Sequence, residues 1–124
     1  MKILSVDDSA MIRKIIARSI SVLGFDLLEA SNGVEALAVL EDSYTETDLI
    51  LLDWNMPEMD GFETLQRIKA DDRFKNIPVM MVTTEVERSN VIKAIQAGAK
   101  NYLSKPFTPE DLTTKIMETM GLGL

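Results

Sequence analysis

Ionisable side chains stand in this sequence where apolar runs stop. Ile3-Leu4-Ser5-Val6 runs into Asp7-Asp8, Leu49-Ile50-Leu51-Leu52 into Asp53, and Tyr102-Leu103-Ser104 into Lys105-Pro106. Short apolar runs of this kind read as buried parallel strands. In an open α/β sheet, ligands bind just outside the carboxyl ends of the strands. Set side by side, the three runs bring three carboxylates and one ammonium to a single spot. That set suits a hard cation and a phosphoryl group.

Each of these residues also has a plainer reading. Asp7 and Asp8 could simply cap a helix in a solvated loop. As a chemical pair they fit Mg²⁺, which takes one or two carboxylates and keeps several waters. Neighbouring carboxylates raise each other's pKa unless a cation neutralises them. Asp53 could be no more than the polar end of a strand. However, Leu49 to Leu52 read as buried on both faces, which makes this strand central and opens its end onto the crevice. A carboxylate there can attack a phosphoryl group and form an acyl phosphate. Asn55 follows in a loop where its backbone carbonyl can complete an oxygen shell around a metal. Thr84 and Glu87 have the spacing of a capping box for the next helix. That leaves Thr83 at a strand end, with a hydroxyl able to donate to a phosphoryl oxygen. Lys105 facing three aspartates pairs with them, and afterwards with a phosphoryl oxygen. The Lys105-Pro106 bond is a candidate for the cis form, which would help to aim the lysine. From pattern alone Tyr102 is a half-exposed sheet aromatic.

The elements that must position these residues alternate between strand and helix five times, which predicts a parallel sheet covered by helices on both faces. Strand one covers about residues 2 to 6. The first helix puts Ile12, Ile15, Ile16, Ile20 and Leu23 on one face and stops at Gly24. Strand two, about 26 to 30, is short and amphipathic, as an edge strand would be. Asn32-Gly33 turns into a helix carrying Val34, Leu37 and Leu40. Asp60 is the expected N-cap of a helix with Phe62, Leu65 and Ile68 inward. Strand four is Val79 to Val82, ending at Thr83; the fourth helix carries Val91, Ala94 and Ile95 and closes at Gly98. Strand five covers about 101 to 104. The last helix opens with Thr108 as N-cap, Pro109 in its first position and Asp111 three residues past the cap. Leu112, Ile116, Met117 and Met120 give it an apolar side, and Gly121-Leu122-Gly123-Leu124 is expected to fray.

Bulk composition narrows the function classes. At 124 residues the chain is expected to be one domain, large enough to bury about two thirds of its unfolded surface. A net charge of -7 argues against nucleic acid, which needs clustered Lys and Arg. No apolar stretch approaches the roughly 20 residues of a membrane span. The immediate strand at Met1-Lys2-Ile3 leaves no room for a signal peptide, and a cytoplasmic protein is expected. The chain has no cysteine and no histidine. Thiol chemistry, imidazole acid–base catalysis and phosphohistidine on this chain are thereby excluded, leaving carboxylate, hydroxyl or amine as nucleophile.

Taken together, Asp7-Asp8, Asp53-Trp54-Asn55-Met56-Pro57, Met59-Asp60-Gly61, Pro78-Val79, Thr83, Ala97-Gly98-Ala99 and Lys105-Pro106-Phe107 resemble the receiver domain of two-component response regulators. Within that family the chain is similar to the CheY-like single-domain type, on Trp54-Asn55-Met56-Pro57, Thr83-x-Glu85 and Tyr102. The resemblance spans the whole chain, residues 1–124. It implies a flavodoxin-like doubly wound α/β fold, a five-stranded parallel sheet in the order 2-1-3-4-5.

It also implies roles. Asp53 would accept a phosphoryl group from a sensor histidine kinase. Asp7, Asp8, Asp53 and the Asn55 carbonyl would hold Mg²⁺. Thr83 and Lys105 would bind the phosphoryl oxygens, and Thr83 and Tyr102 would act as switch residues. Asn55 and Glu85 would tune hydrolysis of the acyl phosphate. A downstream protein would dock on the face made by the fourth helix, the fifth strand and the fifth helix. The implied protein is a stand-alone monomeric regulator, possible in chemotaxis, that catalyses only its own phosphorylation and dephosphorylation. One departure falls on the docking face: Glu87-Arg88 stands where the CheY-like type carries a basic pair. The rival readings are a phosphorelay intermediate or phosphate sink, an aspartyl-phosphate phosphatase and a flavodoxin-like FMN carrier. The phosphatase needs a second acid where Asn55 stands. The FMN carrier needs a phosphate loop that Asp7-Asp8 would repel.

Overall fold

A computed structural model describes residues 1–122 of the chain. Strands and helices alternate throughout: β1 (Lys2–Val6), α1 (Ala10–Val22), β2 (Asp26–Ala30), α2 (Gly33–Ser43), β3 (Leu49–Leu52), α3 (Gly61–Ala70), β4 (Val79–Thr83), α4 (Arg88–Gln96), β5 (Asn101–Ser104) and α5 (Pro109–Thr119). The strands form one parallel sheet in the order β2-β1-β3-β4-β5. This is the doubly wound, flavodoxin-like order expected. β2 lies at the edge and β3 in the centre, with every β3 side chain buried.

Alternation of side chains across the strands sends two apolar sets to opposite faces. On one face Leu4, Val6, Ile50, Leu52, Val79 and Met81 pack with Ala36 and Leu40 of α2, Leu65 and Ile68 of α3, and Ala94 of α4. On the other, Ile3, Leu49, Leu51, Met80, Val82 and Leu103 pack with Ile16 and Ile20 of α1 and with Leu112 and Ile116 of α5. Three residues expected inward turn out exposed: Ile15, Val34 and Ile95. Each sits at the margin of its helix's apolar stripe, where a period of 3.6 no longer decides the side.

The helix ends follow the sequence in most places. Asn32 accepts from the Glu35 N–H and Asp60 from the Glu63 N–H, both at 2.8 Å. Thr108 and Asp111 close a reciprocal capping box with Pro109 in the first turn. The capping box expected from Thr84 and Glu87 does not form. Glu87 is the N-cap of α4 and makes no side-chain cap bond. The loop amides are taken earlier: Glu85 N–H donates to Thr83 Oγ1 and Glu87 N–H to Glu85 Oε1. Gly121-Leu122 closes α5 rather than fraying. With Gly121 at φ 69°, its N–H donates to the Glu118 carbonyl and that of Leu122 to Met117, a Schellman closure. The rest of the expected fraying falls on residues 123 and 124, outside the described residues.

Register fixes where the strand ends meet. Val6 pairs with Ala30 on one side and Leu52 on the other, so Asp7 and Asp53 are the next residues out on adjacent strands. Thr83 pairs with Ser104, and the Lys105 N–H donates to the Thr83 carbonyl at 2.9 Å. The order of strands reverses between β1 and β3, and the crevice of such a sheet opens there.

Candidate functional site

Asp7, Asp8 and Asp53 gather at this crevice, with a carboxylate oxygen of each within 4.8 Å of the others. Asp7 and Asp53 are buried and Asp8 is exposed. Lys105 reaches across from the end of β5. Its Nζ donates to Asp7 Oδ2 at 2.6 Å and to Asp53 Oδ2 at 3.2 Å. The remaining oxygens are held by backbone: Ser9 N–H donates to Asp7 Oδ1 at 2.9 Å and Trp54 N–H to Asp53 Oδ1 at 2.7 Å. Arg13 steadies the β1–α1 loop, donating to the Asp7 carbonyl at 2.6 Å and to Glu29 at 3.2 Å. Sequence reasoning did not single out Arg13.

The charges are mutually strained. Burial is the main reason that the Asp7 carboxyl stands above its usual pKa, and the Asp53 charge adds to it; Lys105 and the Ser9 N–H pull the other way. Burial alone would lower the Lys105 pKa. The hydrogen bond to Asp7 and the negative charges of Asp53 and Asp7 outweigh it, so the ammonium is held above its ordinary value. Three carboxylates against one ammonium leave the pocket short of positive charge. Hard oxygen donors with an exposed member fit Mg²⁺, which retains several waters.

On the far side, Thr83 is fully buried and its hydroxyl oxygen accepts the Glu85 N–H at 3.1 Å. Among the described residues this hydroxyl makes no other hydrogen bond, so its proton is available to donate. Tyr102 is half-buried, as its pattern suggested, and its hydroxyl donates to the Glu85 carbonyl. Burial, reinforced by the charges of Glu85 and Asp53, pushes the Tyr102 phenol up to about 12. Asn55 lies two residues past Asp53 in an exposed position, and Glu85 is half-buried in the β4–α4 loop. The structure therefore brings Asp7, Asp8, Asp53 and Lys105 together, and groups Thr83, Glu85 and Tyr102 beside the head of α4. The Lys105–Pro106 bond is cis.

Two features of the loop after Asp53 have no local sequence signal. A Cβ on Gly61 would lie 2.0 Å from the Asp53 carbonyl oxygen, and the Gly61 N–H donates to the Trp54 carbonyl at 2.7 Å. Only glycine lets α3 approach this closely. Within the loop, Met59 N–H bonds the Pro57 carbonyl across Glu58, whose φ is 69°. A non-glycine residue held there marks stored backbone strain near a site.

Residues 3–117 match the response regulator receiver domain. The chain belongs to that family. This receiver is 48% identical over 122 residues to the chemotaxis protein CheY1 of Helicobacter pylori strain J99, covering 98% of each chain. It is 43% identical over 124 residues to a chemotaxis protein CheY homolog of Campylobacter jejuni, covering 99% of this chain and 95% of the other. The CheY4 structure of Vibrio cholerae superposes with a TM-score of 0.88 at 34% identity, covering 95% and 97% of the two chains. A chain of the CheX–CheY–BeF₃–Mg²⁺ complex of Borrelia burgdorferi superposes at 0.91 with 29% identity, covering 95% and 87%. The receiver is thus homologous to CheY chemotaxis response regulators. Among its described residues no helix is long and apolar enough to cross a membrane.

Proposed function

We propose that the receiver accepts a phosphoryl group on Asp53 from a phosphohistidine of a sensor kinase and signals through a protein-binding face, in chemotaxis. The observation that carries this reading is Lys105 Nζ bridging Asp7 and Asp53 at 2.6 and 3.2 Å. Asp53 Oδ1 is engaged by the Trp54 amide, which leaves Oδ2 on the Lys105 side as the attacking oxygen. The new O–P bond forms as the P–N bond to the kinase imidazole breaks, and the imidazole nitrogen keeps the electron pair and takes a proton from solvent. Lys105 passes from the carboxylates to a phosphoryl oxygen, where an ammonium in a shielded pocket stabilises developing charge. Thr83 moves to donate its free proton to a second oxygen, and Tyr102 turns inward behind it.

Asp7, Asp8, Asp53 and the Asn55 carbonyl would hold Mg²⁺, which would supply positive charge against the carboxylates and the incoming phosphoryl group. Asn55 and Glu85 tune hydrolysis of the acyl phosphate, so the protein turns over only its own modification. Output leaves through α4, β5 and α5, where Ile92 and Ile95 are exposed. The whole chain, 1–124, acts as one monomeric cytoplasmic receiver. Glu87-Arg88 on that face favours, as a second reading, a relay or phosphate-sink role with a partner other than the flagellar motor.

Trp54 is the single tryptophan and adjoins Asp53, so its fluorescence reports the site. Mg²⁺ with beryllofluoride should change it in the wild type. Asp8→Asn should demand more Mg²⁺ for the same change, and Asp53→Asn should abolish it. An Asp53→Asn protein that responds as strongly as the wild type refutes the assignment.

A further inference from the structure

Trp54, Phe62 and Lys93 come from three separate stretches and meet in one stack. The Trp54 indole lies on the Phe62 ring of α3, with centroids 5.3 Å apart and planes 20° apart. The Lys93 ammonium of α4 sits 4.7 Å from the centroid of the same ring. Trp54 also supplies the amide that holds Asp53 Oδ1, and its carbonyl is bound by Gly61 at the start of α3. Through one phenyl ring, α4 is tied to the loop carrying Asp53.

Other anchors of α4 are few. Of its residues only Ala94 is buried, and no side chain caps its N-terminus. Val86, Ile92 and Ile95 are exposed by 56%, 45% and 46%. Two polar contacts tie the loop leading into it to β4 and β5, Glu85 N–H to Thr83 Oγ1 and the Tyr102 hydroxyl to the Glu85 carbonyl. On the proposed function, Thr83 drawn towards a phosphoryl oxygen would pull Glu85 and the head of α4 with it, through the bond from Glu85 N–H to Thr83 Oγ1. Phe62, stacked on Trp54 of the Asp53 loop, would stay with α3. Lys93 and the ring beneath it would then part when the site fills.

We infer that Lys93 and Phe62 form a restraint that holds α4 in the arrangement of unmodified Asp53 and loosens when the site is occupied. The pair thereby sets how much occupancy is needed before the α4 surface changes. The inference rests on Asp53 being the phosphoacceptor. A contact equally strong in both states would couple nothing; this one would differ because Phe62 sits with the fixed Asp53 loop and Lys93 on the loosely held α4. The coupling is reciprocal, so a protein that grips α4 away from Phe62 tightens phosphoryl binding at Asp53 by the same factor.

Beryllofluoride titrations in Mg²⁺, read by Trp54 fluorescence and by the amide resonances of Thr83 and Lys105, test this. Lys93→Met should bind about two- to fivefold more tightly than wild type, the worth of an exposed cation–π contact. Phe62→Leu should shift the same way, and the double variant should be no tighter than the stronger single one. Lys93→Arg keeps the contact and should bind like wild type. Removing a positive charge by itself would weaken binding of an anion, so the sign of the shift separates restraint from charge. Unchanged or weaker binding by Lys93→Met, or additive effects in the double variant, overturns the restraint while leaving Asp53 in its role. No Mg²⁺-dependent response from the wild type overturns both.

Discussion

At the end of β3 the chain is pinned, whereas at the end of β4 it hangs on a few polar contacts. Asp53 follows a strand buried on every residue, its N–H bonds the Val6 carbonyl, and α3 closes down on it through Gly61 with Asp60 as cap. Past Thr83 the chain runs through Thr84, Val86 and Glu87, all exposed, into a helix with no side-chain cap. The contrast divides the site into a fixed half that holds Asp53, the proposed phosphoacceptor, and a yielding half suited to report on it. A carboxylate has to be aimed, and low local stability is where a responsive element is drawn from.

Breaking the fixed half should have the largest effect. Gly61→Ala forces a methyl group against the Asp53 carbonyl, a backbone atom with no room to retreat. It should destabilise the fold by about 3 kcal/mol or more, the upper range of overpacking, as measured by urea denaturation. Lys105→Ala comes next. It strips the counter-charge from Asp7 and Asp53, whose side chains are 2% and 8% exposed. A loss of about 3 kcal/mol is expected for uncompensated buried charge. Mg²⁺ should raise the melting temperature of this variant more than that of the wild type, because the cation then relieves a larger repulsion.

The yielding half should tolerate more. Tyr102→Phe removes one hydrogen bond, to the Glu85 carbonyl, and should lower stability by about 1 kcal/mol. It also removes a pH dependence. The folded phenol is pushed up to about 12 against an ordinary value of 10.0. Between those values the unfolded chain has released its proton and the folded one has not, so wild-type stability falls as pH rises through that window. The difference between wild type and Tyr102→Phe should shrink across the same interval. Smallest of all is Thr84→Ala, expected to change stability by less than about 0.5 kcal/mol. Thr108→Ala, which opens a real capping box, should lose about 1 kcal/mol. Equal losses at Thr84 and Thr108 would mean that the β4–α4 loop is as firmly capped as α5.

The same contrast explains what could be read from the sequence. The strand ends were legible because three apolar runs stop at an ionisable residue and a fourth at the Thr83 hydroxyl, and parallel register then places Asp7, Asp53, Thr83 and Lys105 side by side. Local caps at Asn32, Asp60 and Thr108 were legible because their partners lie three residues away. Thr84 and Glu87 had the same spacing and misled, since the Thr83 hydroxyl and the Glu85 carboxylate compete for the loop amides. Ile15, Val34 and Ile95 misled because periodicity gives the centre of an apolar stripe and not its edges. The need for glycine at Gly61 and the stack of Trp54, Phe62 and Lys93 depend on how β3, α3 and α4 cross, and no short-range pattern encodes that.

The most direct test of the phosphoacceptor is intact-mass analysis after incubation with acetyl phosphate. With Mg²⁺ the wild type should gain one phosphoryl group that hydroxylamine removes, as it does from an acyl phosphate, and chelation of the metal or Asp53→Asn should prevent it. A wild type that gains nothing, or an Asp53→Asn protein labelled to the same extent, would contradict the account.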